Sequence, residues 1–264
     1  MKNISCTVII PTYNCSKTIN RAVQSVLNQS VLPEKIIIID DCSNEKELID
    51  YLNELDKNPL IQVIFKKKNM GPGAARNEGM KVATSKYIAF LDADDTWSVN
   101  KLELQYYIME KNDYYLTCHK TTYFADYHYE NLDYADIRYK DFNKKNLFKS
   151  NIIATRSVMM KNDKRYFFYN KRYSEDYLLW LLIALNDEKM AILNHDLALY
   201  YDKFYFEKGL SSNMKEMFKG EKQNLKILYD LKYLTKVNYI LLSFYFRGKY
   251  IRRLFLKNIS YFLK

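Results

Sequence analysis

Four short apolar runs alternate with amphipathic segments over the first hundred residues, and this alternation restricts the possible folds more than any other feature of the chain. The runs are CTVIIP, KIIIID, IQVIFK and KYIAFL, at residues 6–11, 35–40, 61–66 and 86–91. Runs that are apolar throughout and rich in Ile or Val are typical of strands buried on both faces of a parallel sheet. The chain is therefore expected to contain at least four such strands.

The segments between these runs have the period of a helix. In the first segment, apolar side chains recur at helical spacing at Ile19, Ala22, Val23, Val26 and Leu27. EKELIDYLNELD and GAARNEGMKVAT form the second and third segments. This order predicts an α/β fold in which a doubly wound, mostly parallel central sheet carries helices on both faces.

The second half of the chain has weaker patterns. Residues 119–130 and 152–161 resemble strands, residues 174–187 resemble a helix, and residues 213–230 and 238–263 resemble further helices. No internal repeat and no Gly/Ser-rich or Pro-rich linker separates the halves. We therefore expect the two halves to share one body.

The net charge of +10 belongs to the C-terminal end of the chain. Residues 231–264 contain eight basic side chains and no acid, which leaves 33 basic and 31 acidic side chains in residues 1–230. One face of the last predicted helix carries Lys249, Arg252, Arg253 and Lys257. Another face carries Ile251, Leu254, Phe255, Ile259 and Phe262. Such a basic amphipathic helix suits the surface of an anionic bilayer. Packing on the protein body and binding of single-stranded nucleic acid are the alternatives.

The sequence gives no sign of a membrane-spanning helix. The longest apolar runs, such as YILLSFYF at residues 239–246, are shorter than the roughly 20 residues that cross a bilayer. The N-terminus lacks the pattern of a signal peptide. The four cysteines, Cys6, Cys15, Cys42 and Cys118, have no metal-binding spacing. A cytoplasmic protein with reduced thiols is the expectation.

Three carboxylates, those of Asp92, Asp94 and Asp95, directly follow the fourth apolar run, and no Lys or Arg stands among them. Such crowding costs Coulomb energy unless a cation or a proton relieves it. Mg²⁺ and Mn²⁺ commonly bind one or two protein carboxylates together with water and substrate phosphate. The run therefore predicts a divalent cation site. The alternative is that Asp94 or Asp95 caps a helix that begins near Ser98.

The letters D-x-D-x-T at residues 92–96 also resemble the nucleophile motif of the haloacid-dehalogenase phosphatases. That family places the motif after the first strand of its sheet and needs a later Lys and a further acidic pair on a loop. Here three strand-helix units precede the motif, and the later acidic pair opens a helix. We rank this alternative well behind a metal site.

The loop after the third apolar run contains G-P-G-A-A-R at residues 71–76. The nicotinamide fingerprint G-x-G-x-x-G fails here, because Arg76 stands at the third glycine and the loop does not follow the first strand. Glycines, a helix N-terminus and a guanidinium can still bind a phosphate. A simple turn before a helix is the alternative.

Together the motifs V-I-I-P-T-Y-N, I-D-D-C-S, N-M-G-P-G-A-A-R-N-E-G and F-L-D-A-D-D resemble the family 2 glycosyltransferases, which have a GT-A fold. The resemblance is strong from residue 5 to about residue 112 and weak from there to about residue 200. It implies a nucleotide-sugar-binding half at residues 1–112 and an acceptor-binding half of the same domain at residues 113–210. Residues 211–264 then form a helical, basic amphipathic C-terminal extension.

The resemblance also implies a role for single residues. It implies nucleotide-sugar contacts at Pro11, Thr12, Tyr13, Asp41, Asn69, Arg76, Asp92 and Asp95, and a Mn²⁺ or Mg²⁺ ion on Asp94 and Asp92. Within this set, Tyr13 is expected near the base, and Asp41 matches the residue that reads the uracil edge. Asp95 is an additional acid that the family pattern does not require.

A general base is the remaining need of an inverting transfer, because a carboxylate must accept the proton of the attacking hydroxyl group. Glu175 and Asp176 begin an apolar helix, and in this family the Asp of such a pair is the base. The alternative is that both acids only complement the helix dipole.

The expected activity is inverting transfer of a hexose from a nucleotide sugar, with UDP as the expected carrier, to a saccharide hydroxyl. By analogy, the acceptor is a glycan on a polyprenyl diphosphate, as in O-antigen or capsule biosynthesis. The protein would then work peripherally on the inner face of the cytoplasmic membrane, without nucleic acid. A non-catalytic protein that binds nucleic acid or membrane on a transferase-like fold is the alternative.

Overall fold

The predicted alternation of strands and helices is present in a computed structural model of the chain, which describes residues 3–129, 132–202 and 212–262. The strands of the first half are β1 (Asn3–Thr12), β2 (Leu32–Asp40), β3 (Ile61–Phe65) and β4 (Tyr87–Phe90). The helices between them are α1 (Ser16–Leu27), α2 (Lys46–Leu55) and α3 (Pro72–Val82). Each predicted strand and helix of this half is therefore confirmed within a few residues.

The four strands of the first half are parallel and lie in the order β3-β2-β1-β4. Thr12 of β1 is in register with Asp40 of β2, and Asp40 with Phe65 of β3. The carboxyl ends of these strands therefore meet at one edge of the sheet, which is where open α/β sheets bind ligands.

The same sheet continues into the second half of the chain. Its elements there are β5 (Thr96–Trp97), α4 (Lys101–Asn112), β6 (Leu116–Tyr123), β7 (Tyr139–Phe142), α5 (Lys144–Lys149), β8 (Met159–Lys161), α6 (Glu175–Leu185) and β9 (Met190–Tyr200). The order runs on as β4-β8-β6-β9-β5, and β7 also pairs with β9. β8 is antiparallel to β4 and β6, and β9 is parallel to β6. The sheet is mixed but mostly parallel.

Two predicted strands of the second half have different bounds in the structure. The strand predicted at residues 119–130 begins at Leu116 and ends at Tyr123, because a 3-10 turn follows at Phe124–Asp126; residue 130 lies outside the described residues. The strand predicted at residues 152–161 is reduced to β8, because Thr155–Ser157 form a 3-10 turn. Strands β5, β7 and β9 have no counterpart in the sequence-based prediction.

Apolar side chains pack on both faces of the sheet, as predicted. On one face, Val8 of β1 packs in a cluster that includes Ile19 of α1 and Leu102 of α4. On the other face, Ile9 of β1 belongs to a cluster that includes Ala75 of α3 and Leu178 of α6. The alternation of neighbouring β1 side chains between these clusters is the period of a strand.

Two further helices, α7 (Met214–Asp230) and α8 (Lys236–Phe262), follow the sheet. Leu225 and Leu228 of α7 and Phe246 of α8 join the cluster around α6. None of the helices in the described residues is long and apolar enough to cross a membrane.

The basic face predicted for the last helix is only partly correct. Lys249 donates a hydrogen bond to the backbone oxygen of Lys149, and Arg253 forms an ion pair with Glu221 of α7. Both side chains therefore point toward the protein body, whereas Arg252 is exposed. The predicted positions of the Lys257, Ile259 and Phe262 side chains lie outside the described residues. Amphipathic patterning alone could not identify which face packs on the body.

Candidate active site

A cleft of about 720 Å³ lies at the carboxyl ends of the parallel strands. Its lining includes Pro11, Thr12, Tyr13, Asp41, Asn69, Arg76, Asp92 and Asp94. Eight of the ten site residues expected from the sequence are thus brought together from four separate segments. Asp95 and Asp176 are not part of this lining.

At the end of β1, the Thr12 side chain is held by the protein, whereas the Tyr13 side chain is exposed. The Thr12 hydroxyl donates to the backbone oxygen of Ile39 at 3.3 Å and lies 3.4 Å from a carboxylate oxygen of Asp40, so it joins the ends of β1 and β2. Tyr13 is 52% exposed, whereas Thr12 is 2% exposed. Of the two, only the Tyr13 ring is available as a flat surface for a ligand.

Asp41 fixes the glycine loop to the end of β2. Its carboxylate accepts hydrogen bonds from the backbone N–H of Gly71 at 2.7 Å and of Met70 at 3.1 Å. Lys66 at the end of β3 forms an ion pair with it at 2.5 Å. Gly71 has a φ of +87°, in the left-handed region that favours glycine. The loop therefore enters α3 in one defined conformation, and the uracil contact implied for Asp41 stays a prediction.

Arg76 connects two acidic groups. Its guanidinium donates to the Asp92 carboxylate at 2.6 Å, and its other terminal nitrogen lies 3.7 Å from Glu175. Burial alone would lower the pKa of Arg76, but the charges of Asp92 and Glu175 raise it above its ordinary value. The cation predicted to bind phosphate is therefore engaged by protein carboxylates.

Asp94 differs from its two acidic neighbours because its carboxylate forms no ion pair in the part of the chain that the structure describes. The side chain is exposed to the cleft. Loss of hydration in the cleft, followed by the charge of Asp92, raises the pKa of Asp94. Arg21 contacts only the backbone oxygen of Asp94, at 2.6 Å. Asp94 thus has no ion-pair partner among the described residues, and Arg156 and Arg21 lower its pKa only from a distance.

The donor atoms at Asp92 and Asp94 fit a hard divalent cation. Within residues 3–129, 132–202 and 212–262, no group of three His, Cys, Asp or Glu side chains could hold a metal ion. Two carboxylates that need ligands from water and phosphate are a common arrangement for Mg²⁺. The chemistry of the residues present therefore suits Mg²⁺ or Mn²⁺ together with a diphosphate.

Asp95 is buried and paired inside the protein. It is 2% exposed, and Arg156 donates to its carboxylate at 2.6 Å. Burial raises the pKa of Asp95 well above its ordinary value, against the lowering effect of Arg156. The structure thus gives this acid a partner in the 3-10 turn before β8. Its predicted contact with the nucleotide stays a prediction.

Glu175 and Asp176 form a second acidic group at the start of α6. Asp176 accepts hydrogen bonds from the backbone N–H of Tyr177 at 2.7 Å and from the Thr155 hydroxyl at 3.3 Å. Burial, and then the charge of Asp176, raises the pKa of Glu175 to about 7, and burial also raises the pKa of Asp176. The pair can therefore exchange a proton near neutral pH.

Close packing holds the second acidic group against the start of α3. A Cβ atom added at Gly73, in the first turn of α3, would lie 2.7 Å from the Cγ atom of Glu175. The glycine thus lets the starts of α3 and α6 approach each other. Arg76, one turn further along α3, then reaches Glu175.

Sequence analysis did not identify four residues of this site: Lys66, Thr155, Arg156 and Arg172. Lys66 begins a run of three lysines after β3, so a basic residue at a strand end was a usable signal. Arg172 lines the cleft, is exposed, and makes no ion pair within the described part of the chain. Thr155 and Arg156 lie in a region without a clear pattern, where nothing in the sequence indicates their partners.

The family model described as "Glycosyl transferase family 2" matches residues 7–177. An uncharacterized glycosyltransferase of Rickettsia conorii is 34% identical over 191 residues, which are 70% of this chain and 31% of the relative. The Escherichia coli "UDP-Glc:alpha-D-GlcNAc-diphosphoundecaprenol beta-1,3-glucosyltransferase WfgD" is 34% identical over 113 residues, 43% of this chain and 44% of the relative. The chain spans less than half the length of these curated relatives.

The fold is similar to that of solved structures. The crystal structure of S. aureus TarS 1–349 in complex with UDP-GlcNAc has a TM-score of 0.69 and 19% identity, and the match covers 93% of this chain and 71% of that chain. The same fragment in complex with UDP has a TM-score of 0.67 and 17% identity, with 96% and 72% covered. At this identity the likeness concerns the fold, and it confirms the predicted GT-A architecture.

Proposed function

The chain belongs to glycosyl transferase family 2, and on that premise we propose that it transfers a sugar from a nucleoside diphosphate sugar to a hydroxyl group. The observation that carries the proposal is the cleft at the strand ends, which unites an exposed aromatic ring, Tyr13, with an exposed acid, Asp94, that forms no ion pair with the described residues. Family membership also removes the basis for the aspartyl phosphatase alternative.

The proposed donor is a UDP-hexose. Two names support a uridine carrier: TarS was crystallised with UDP-GlcNAc, and WfgD is named for UDP-Glc. In this chain the Tyr13 ring would stack on the base, and Thr12, Asn69 and the Asp41-anchored loop would form the walls. The neighbouring guanidinium of Arg172 would compensate part of the charge of the diphosphate.

The proposed cofactor is Mn²⁺ or Mg²⁺, held by Asp92 and Asp94. When bound, such an ion supplies Lewis-acid stabilisation of the departing diphosphate. Arg76 keeps one oxygen of Asp92 in place through its 2.6 Å hydrogen bond, so that this carboxylate is positioned before any ligand arrives. Asp94 provides the negative charge that a cation would neutralise.

The proposed general base is Asp176. Thr155 and the Tyr177 N–H fix its two oxygens, and the pair that it forms with Glu175 titrates near neutral pH. Asp176 would accept the acceptor hydroxyl proton while that oxygen attacks the anomeric carbon from the face opposite the diphosphate, which inverts the configuration. Glu175 would hold the second negative charge, shared with Arg76.

The proposed acceptor is a saccharide on a polyprenyl diphosphate. The name of WfgD, which specifies a GlcNAc-diphosphoundecaprenol acceptor, supports this class. An acceptor of this kind lies in a bilayer, so the protein would work peripherally at the inner face of the cytoplasmic membrane, in the biosynthesis of a surface polysaccharide.

A donor and acceptor screen tests the proposal. The full chain is incubated with Mn²⁺, a panel of UDP- and GDP-sugars, and GlcNAc-diphosphate on a short polyprenyl chain, and products are identified by mass spectrometry. One UDP-hexose should yield a product that is one hexose heavier, and Asp176→Asn should not form it. If the chain bound UDP but neither transferred a sugar nor hydrolysed a donor under any combination, the proposed enzyme activity would be contradicted. A binding protein would then be favoured.

A further inference from the structure

One side of α8 exposes a continuous row of apolar side chains. Each is between 42% and 67% exposed: Val237, Ile240, Leu241, Phe244, Ile251 and Phe255. At 100° per residue the six lie within an arc of about 100° on one side of the helix, with Gly248 between Phe244 and Ile251. We call this row the α8 stripe. It extends over roughly 27 Å at the rise of an α-helix.

The opposite side of α8 packs on the protein. Phe246 is 1% exposed and stacks on Tyr177 of α6, and Tyr239 and Leu242 pack against the same cluster. Lys249 and Arg253 make their contacts with Lys149 and Glu221 on this side. These contacts fix the rotation of the helix, so the stripe cannot turn inward without breaking them.

The exposed charged side chains of α8 that flank the stripe are positive among the described residues. Arg247 and Arg252 are exposed, and at 100° per residue they lie on opposite flanks of the stripe. Residues 231–264 contain no acid that could neutralise them. An apolar row with basic flanks matches an anionic bilayer, where acyl chains meet the row and lipid phosphates meet the guanidinium groups.

We propose that α8 lies in the plane of an anionic membrane and inserts the α8 stripe below the headgroups, while Arg247 and Arg252 bind lipid phosphates. This assignment differs from the sequence-based expectation, in which Lys249 and Arg253 belonged to the basic face that contacts the lipid. Binding therefore depends mainly on apolar burial and survives high salt. The inference rests on the proposed function only for the reason why the protein would bind a membrane, which is that a lipid-linked acceptor lies in the bilayer.

Vesicle flotation tests the stripe directly. The full chain is mixed with vesicles of phosphatidylcholine and phosphatidylglycerol, and the bound fraction is measured at low and high salt. Phe244→Glu with Phe255→Glu should weaken binding by about 100-fold, because two buried rings are replaced by charges that the lipid repels. The matched control is Val82→Glu with Val99→Glu, which adds the same charge at two exposed apolar positions outside α8; it should bind within about twofold of wild type.

Two results would overturn the inference. The first is absence of wild-type binding; if the wild type is then a dimer that the stripe variant converts to a monomer, the stripe is a contact between copies. The second is equal binding by the stripe variant and its control. Stabilisation by UDP and Mn²⁺ and transfer to a water-soluble acceptor are measured in parallel, so that failure of the stripe is distinguished from failure of the enzyme.

Discussion

The two acidic groups of the cleft region are compensated in different ways. The group after β4 contains three aspartates, and two of them have a guanidinium of their own: Arg76 for Asp92 and Arg156 for Asp95. Among the described residues, the group at the start of α6 makes no ion pair shorter than the 3.7 Å contact between Glu175 and Arg76. In the first group Asp94 forms no ion pair within the described residues, whereas in the second group burial, and then the charge of Asp176, raises the pKa of Glu175 to about 7.

This difference suggests different roles for the two acidic groups, although their residues are of the same type in the sequence. Where each buried acid has its own cation, the remaining exposed acid stays available to a ligand with positive charge. Where two neighbouring acids have no ion pair shorter than 3.7 Å among the described residues, binding of a proton can compensate them. We therefore propose cation binding for the first group and proton transfer for the second, and the following predictions test that contrast.

The largest effect is expected for Asp176→Asn. The amide keeps the size of the side chain but cannot accept the acceptor proton, so kcat should fall by about 10³-fold or more. The affinity for UDP with Mn²⁺ should change by less than about twofold, because the first acidic group is intact. Steady-state kinetics and calorimetric titration with UDP measure the two quantities. A near-normal kcat would transfer the role of base to another group, with Glu175 the first to test.

The next largest effect is expected on stability, at Asp95→Asn. The substitution removes the buried 2.6 Å ion pair between Asp95 and Arg156, so the free energy of unfolding should fall by about 3 kcal/mol. Asp94→Asn is the matched control at the adjacent position, and it should not destabilise the protein. Urea denaturation of both variants gives the comparison. Equal losses at the two positions would mean that Asp95 and Asp94 are not compensated differently.

A smaller effect is expected at Arg172, the exposed guanidinium in the cleft. Arg172→Gln should weaken UDP binding by about tenfold, because a charge-assisted contact to the diphosphate is lost. Uridine has no diphosphate, so its affinity should stay the same. Calorimetric titration with both ligands separates these outcomes. A parallel loss of uridine affinity would show that Arg172 shapes the cleft and does not recognise the diphosphate.

The smallest effect is a shift in pH dependence. The kcat/KM of the wild type should fall as the pH drops through about 7, because the Glu175–Asp176 pair takes up a proton. Glu175→Gln removes one negative charge from the pair, so the acid limb should move to lower pH by about one unit. If the acid limb of the kcat/KM profile did not shift in this variant, the group that titrates would not be coupled to Glu175.

The same titration links pH to stability. The folded state holds the Glu175 proton up to about pH 7, whereas the ordinary pKa of this group is 4.5. The folded protein therefore binds more protons than the unfolded chain in this window, and stability falls as the pH rises through it. Glu175→Gln should reduce this loss, which thermal denaturation across the window can measure.

The first half of the fold could be predicted from the sequence because each of its strands contains a short apolar run and is followed by a polar cluster. Strand β9 escaped prediction since Asn194, His195 and Asp196 interrupt its apolar pattern. Strand β5 has only two residues, Thr96 and Trp97, which is too short for any period to be visible.

The gathering of the site residues was predictable for a similar reason, whereas their charge partners were not. Parallel strand ends meet at one edge, so Asp41 and Asp92 had to lie close together. The partner of Asp95, by contrast, is Arg156, 61 residues away in a 3-10 turn. No local pattern encodes such a pair, and only the tertiary structure distinguishes Asp95 from Asp94.

The most direct test of the central claim is ligand-dependent melting of the wild type and of Asp94→Ala. UDP with Mn²⁺ should raise the Tm of the wild type by several degrees, and UDP alone should have a much smaller effect. In Asp94→Ala the additional rise with Mn²⁺ should be absent. If Asp94→Ala kept the full rise with UDP and Mn²⁺, the cation would not be held at the end of β4, and the proposed division between the two acidic groups would be wrong.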